Sequence, residues 1–138
     1  MVREHWSAYL PDEHEKLNLY RRLAETRSID ELDDLTLEML DRFGQLPPPA
    51  VALFELRRLR LLGRVARVES LRVFQHLADL TLRRPLAPKE IAGLVGALNF
   101  QVEFVTGREF GMRVRGEGLV LLNRTRELLE MVGAVAVG

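Results

Sequence analysis

The chain contains no cysteine, which removes disulfides, thiolate metal sites and a cysteine nucleophile together. Lysine is nearly missing as well: of 20 basic residues only Lys16 and Lys89 are lysine, a bias read as compositional. The three histidines, His5, His14 and His76, share no motif spacing with a carboxylate, so zinc-type ligation has no support and each is read as structural or solvated. No apolar run approaches the roughly 20 residues that span a membrane and no signal peptide opens the chain, so the expected compartment is the cytoplasm. The glycines of TGREFG and RGEGL lack both the phosphate-loop pattern and the strand-then-helix setting of a phosphate cradle, and they read as turns. No cofactor, no metal and no ATPase activity are expected of this chain.

At 138 residues there is about one domain's worth of chain, long enough to bury a core without a metal or disulfide staple. Hydrophobic residues make up 47% and charged residues 29%, as in an ordinary globular protein. Net charge is zero, yet residues 1–45 carry 6 Lys or Arg against 11 Asp or Glu, and residues 46–138 carry 14 against 9. Two readings of that asymmetry stand on charge alone: an acidic surface for a basic partner, or two halves that attract each other.

Residues 1–11 read as an extended lead-in and residues 12–138 as a single α+β domain. A first helix is expected from Asp12 to about Thr26, with Asp12 and Glu15 at capping-box spacing. Ser28 and Glu31 repeat that spacing for a second helix, which should stop at Phe43 with Gly44 in the left-handed closing position. The Leu46–Pro49 run forces a turn, and its prolines, Pro47 among them, suit the first turn of a third helix that ends near Val65. Beyond it, residues 70–75 and 79–84 alternate as half-buried strands do. Pro88 opens a short helix. Residues 101–105 and 109–115 form a hairpin through Thr106, Gly107 and Arg108, and a last helix runs from Gly118 to about Val132, although the LVLL at its start also suits a strand. Three helices followed by a small, mostly antiparallel sheet with two further helices make an α+β fold.

On a wheel of about 100° per residue the second helix places Leu32, Leu35, Met39 and Phe43 on its core arc. Asp30, Asp33, Asp34, Glu38 and Asp41 fall on the opposite arc, with Leu37 near one side of it. Glu38 and Asp41 are paired carboxylates, but neither a histidine nor a nucleophile accompanies them, so acid–base catalysis is not expected. Two readings remain: a solvated acidic face, or an apolar contact ringed by charge, the plan of a modest docking site. Arg57, Arg60, Arg64 and Arg67 fall at steps of three, four and three, a stripe suited either to solvent or to phosphate contacts; no aromatic residue is interleaved with it for base stacking.

The stretch of about residues 17–65 resembles the C-terminal domain of bacterial transcription-repair coupling factors (Mfd). The resemblance is carried by LYRRLA (residues 19–24), by EMLDRFGQLP (38–47) and by LRLL (59–62), in order and spacing. The helicase motor and the polymerase-binding module of that family have no counterpart in these 138 residues, so ATP hydrolysis and DNA translocation are not carried over. What the resemblance implies is an autoinhibitory module. In the family this domain packs on an N-terminal module similar to UvrB and masks the surface that recruits UvrA until RNA polymerase is engaged. Polymerase and DNA are contacted through the factor's other domains; the alternative reading is a nucleic-acid or RNA-polymerase contact module that uses the stripe of Arg57, Arg60, Arg64 and Arg67. The family's acidic contacts map onto Glu38 and Asp41; Asp34 and Leu37 join them from the wheel.

Overall fold

The computed structural model describes residues 13–137, with side chains described through Val135. The expected lead-in, the cap at Asp12 and His5 lie outside the described residues. The chain divides into two compact units, the first ending at Leu61 and the second starting at Leu62.

In the first unit lie α1 (Glu13–Glu25), α2 (Ile29–Phe43) and most of α3 (Pro48–Val65). Ser28 caps α2 from an extended conformation, its Oγ accepting the Glu31 N–H at 3.1 Å, while the Glu31 carboxylate accepts the Arg27 N–H at 2.6 Å. These bonds satisfy donors that a helix start leaves orphaned. At the other end Gly44 donates to the Leu40 carbonyl at 2.9 Å with φ 86° and ψ −164°. The positive φ is as expected, but ψ is extended rather than left-handed helical, a region essentially reserved for glycine. That ψ lets the chain leave α2 toward Leu46, which packs against the core. The Pro47 carbonyl then accepts the N–H groups of Ala50 at 2.9 Å and Val51 at 3.0 Å, with Pro48 and Pro49 in the first helical turn, where no donor is needed.

Leu19 and Leu23 of α1, Leu32, Leu35 and Met39 of α2, and Ala50, Phe54 and Leu61 of α3 form one buried cluster. Phe43 packs against that cluster but is only partly buried. As the last residue of α2 it covers the cluster's margin, and the Arg42 guanidinium lies over its ring at 4.9 Å, in cation–π range. Thr26 is buried beyond α1; its hydroxyl donates to the Leu23 carbonyl at 2.7 Å.

The second unit is built on a four-stranded, wholly antiparallel sheet of order β1-β2-β4-β3. Its strands are β1 (Val68–Val73), β2 (Leu77–Leu82), β3 (Val102–Val105) and β4 (Phe110–Arg115), with α4 (Pro88–Ala97) between β2 and β3 and α5 (Gly118–Val137) at the end. β1 and β2 begin two residues before their expected starts. Alternation marks a strand's faces, not its ends; here the end is set by a tight turn in which Phe74 donates to the Leu77 carbonyl at 2.8 Å. The pairs Leu71↔Leu80, Leu80↔Met112 and Ala78↔Val114 place one buried face. Val68 joins that face three residues before Leu71 because a bulge at Glu69 absorbs the odd step. The other face carries a row of charge across all four strands: Arg72, Asp79, Arg113 and Glu103 in register.

α5 continues five residues past its expected end. The helix continues through Gly133, where a Cβ would meet the Ala66 Cβ at 3.6 Å, so it passes close to the turn that precedes β1. The ambiguous LVLL opens this helix, with Thr125 buried one turn on and its hydroxyl returned to the Leu121 carbonyl at 2.7 Å. Among the described residues, five helices and one antiparallel sheet give the α+β composition that the patterning implied.

Candidate functional site

Apart from Glu31, which accepts the Arg27 N–H at the helix start, the carboxylates of α2 fall into two groups. Asp33 and Glu38 lie on its flanks, where neighbouring helices reach them. Arg58 of α3 meets Asp33 at 2.7 Å. Arg22 of α1 grips Glu38 with two hydrogen bonds, Nη1–Oε2 at 2.5 Å and Nη2–Oε1 at 2.8 Å. Arg42 adds a longer approach to the same Glu38 oxygen at 3.7 Å and reaches Glu15 of α1 at 3.7 Å. The bonds from Arg22 hold the Glu38 carboxyl below its ordinary value and raise the guanidinium in turn. Wheel geometry explains the pairing: Glu38 stands about 90° from the centre of the core arc, on the side toward α1. Glu38 is therefore half-exposed and already occupied, not a free carboxylate on the solvent arc.

The second group is free. Asp30, Asp34 and Asp41 are exposed and, among the described residues, have no basic partner. Leu37 lies between them with 64% of its surface open. The four positions, 30, 34, 37 and 41, step by four, three and four, so they form one straight stripe along α2. Glu38 borders that stripe, and Asp41 belongs to it, so the two carboxylates paired by the sequence play different parts.

The arginine stripe does not assemble as read. Arg57 turns inward: its Nε donates to the Thr26 hydroxyl at 3.1 Å and its Nη2 to the Thr26 carbonyl, tying α3 to the turn between α1 and α2. Arg67 lies past the end of α3 with φ 58°, so helical spacing no longer places it. Arg60 and Arg64 remain exposed on the helix. Sequence spacing had no means of finding the Arg57–Thr26 contact, which depends on how the helices pack. His76 approaches Glu117 at 3.3 Å on the surface. Among the described residues no group of three or more His, Asp or Glu is placed to hold a metal ion, and no helix is long and apolar enough to cross a membrane.

Together these features define a helical and α+β module whose distinctive chemistry is a charged helix surface rather than a cleft. The family model of the TRCF domain matches residues 7–90, and the chain belongs to that family, the transcription-repair coupling factors. It is 27% identical over 118 residues to the transcription-repair-coupling factor of Bacillus subtilis (strain 168), an alignment covering 86% of this chain and 10% of that protein. The Escherichia coli (strain K12) factor is 40% identical over 52 residues, 38% of this chain and 4% of that protein. The Haemophilus influenzae factor is 44% identical over 54 residues, 39% of this chain and 5% of that one. The chain thus spans a tenth or less of the length of these curated relatives. A crystal structure of the C-terminal domain of transcription-repair coupling factor matches with a TM-score of 0.69 over 93% of this chain and 87% of that one. At 16% identity that likeness concerns the fold.

Proposed function

We propose that this chain is the regulatory, non-catalytic C-terminal module of a transcription-repair coupling factor, docking through the α2 stripe on the factor's UvrB-like N-terminal module and so masking the surface that UvrA binds. RNA polymerase and DNA would be met by other parts of the same factor, with UvrA affected only by competition. The observation that supports this reading is the stripe itself: three carboxylates without a basic partner among the described residues, aligned around an exposed leucine. Such an arrangement leaves charge uncompensated on the folded module, which an arginine-bearing surface would compensate. Each exposed ion pair contributes about 0–1 kcal/mol, more when desolvated. A contact of that strength suits a tethered module, because the tether supplies a high effective concentration.

The test is a binding titration of this chain against the separately expressed UvrB-like module. Asp34→Ala with Asp41→Ala should weaken binding by about 1–4 kcal/mol and leave the melting temperature of this chain unchanged. Equal affinity of the two proteins would return the stripe to the role of a solvated face.

A further inference from the structure

A different surface, in the second unit, is unexplained by that reading. A recess of about 270 Å³ opens where the end of β2, the turn before β1 and α5 converge. Its floor is apolar, made by Ala66, Leu82, Leu86 and Val132. Its rim is basic, made by Arg67, Arg83 and Arg84, all three exposed. Arg83 is 3.3 Å from Glu69 and Arg84 is 3.2 Å from Glu90, whereas Arg67 has no carboxylate partner among the described residues. The rim therefore holds three guanidinium groups against two carboxylates. Exposed pairs of this kind are weak enough to exchange for an incoming anion.

Arg67 carries a second signal. It follows α3 with φ 58°, its N–H donating to the Arg64 carbonyl at 3.1 Å. Glycine ordinarily fills such a helix-closing position, and any side chain there is strained. The chain accepts that strain and thereby sets a guanidinium at the mouth of an apolar recess.

We propose that this recess is a docking site for an acidic peptide segment of a partner protein, which inserts one apolar or aromatic side chain between Leu82, Leu86 and Val132 while flanking carboxylates meet Arg67, Arg83 and Arg84. The volume lies just under the roughly 300–1,000 Å³ of small-molecule sites and suits a single anchoring side chain. No aromatic ring lines it, so a nucleobase would find no stacking partner. Charge on the rim and apolarity on the floor select an acidic partner with a hydrophobic anchor over a polyanion.

Amide NMR titration of the 138-residue chain would test this with three probes: the acetylated peptide Asp-Glu-Phe-Asp-Glu, the same peptide with Ala for Phe, and a short DNA duplex. The Phe peptide should bind with a dissociation constant on the order of 0.1–1 mM, shifting the amides of Ala66, Leu82, Leu86 and Val132, and the Ala peptide should leave them in place. Arg67→Gly should raise the melting temperature by relieving the backbone, yet weaken the Phe peptide by about 3- to 5-fold, the size of one exposed ion pair. Equal binding of both peptides, shifts elsewhere, no shift with any probe, unchanged affinity in Arg67→Gly, or tighter binding of the duplex at these residues would each overturn the proposal.

Discussion

At the scale of single residues, the end of α2 separates two kinds of structural role. Gly44 has nothing within 4 Å of where a Cβ would stand, so its requirement is conformational and not steric. With φ 86° and ψ −164°, Gly44→Ala should cost about 1–3 kcal/mol through the backbone alone, visible as a lower urea midpoint with an unchanged slope. If the midpoint stayed put, the exit from α2 would have to be pliable. Phe43, by contrast, contributes packing from a partly buried ring. Full burial of a large aromatic would make its truncation cost about 3–5 kcal/mol; at the margin of the cluster Phe43→Ala should cost nearer 1–2 kcal/mol. A loss at the upper value, measured by denaturant melts, would place the ring deeper than the structure does. Both positions leave local signals in the sequence, a helix-closing glycine and a core-arc phenylalanine. How far the ring is covered is set by α1 and α3, which local signals do not describe.

At the scale of elements, helix boundaries were legible wherever a cap marked them. Ser28 with Glu31, Gly44 and the Leu46–Pro49 run place the ends of α2 and the start of α3 to within a residue. Strand ends were not, because period two carries no stop signal, and the bulge at Glu69 shifts the phase inside β1. The same limit applies to charge. A wheel sorts residues relative to one helix's own core, and Glu38 lies on the acidic side of α2. Only the presence of α1 beside it shows that Arg22 takes that carboxylate. The pair makes a testable contribution. Because hydrogen bonds from Arg22 depress the Glu38 pKa below its ordinary 4.5, the charged form is favoured in the folded state. The stabilisation is then present above that ordinary value and lost as pH falls through the folded one. Glu38→Gln should therefore lower the melting temperature at neutral pH, and the gap from the unsubstituted chain should close as pH is taken from about 5 to about 3. A gap that survived acidification would mean that glutamine loses packing rather than charge.

At the scale of the whole molecule, the acidic excess of residues 1–45 is only partly spent inside the fold. Arg22 and Arg58 neutralise Glu38 and Asp33 from neighbouring helices, Glu31 accepts the Arg27 N–H at the helix start, and what remains on α2 is the stripe of Asp30, Asp34, Leu37 and Asp41. Under the proposed latch, a full-length factor exchanges between a docked state, in which the stripe is covered, and an open one able to capture UvrA. A ligand that binds only the open state reports its population. Asp34→Ala with Asp41→Ala should leave this module folded, since neither carboxylate has a basic partner among the described residues, and should raise UvrA capture by full-length protein in the absence of polymerase. The rise should be about 5- to 1,000-fold while the open state stays the minority, matching a loss of about 1–4 kcal/mol in docking. Glu38→Ala is the contrasting variant. It removes a group that Arg22 already holds, so part of its effect is internal, and it exposes an unpaired Arg22 guanidinium beside the stripe. If Glu38 also contacts the partner, Glu38→Ala should increase UvrA capture beyond what its lower stability accounts for. If it serves only the fold, capture should follow stability alone. Equal, weak capture by the unsubstituted and the Asp34, Asp41 double variant would detach the stripe from the latch. Reversing the stripe to arginine at both positions should abolish docking, and acidic substitutions in the partner's arginines should restore it, because Coulomb attraction between facing groups survives the exchange of signs.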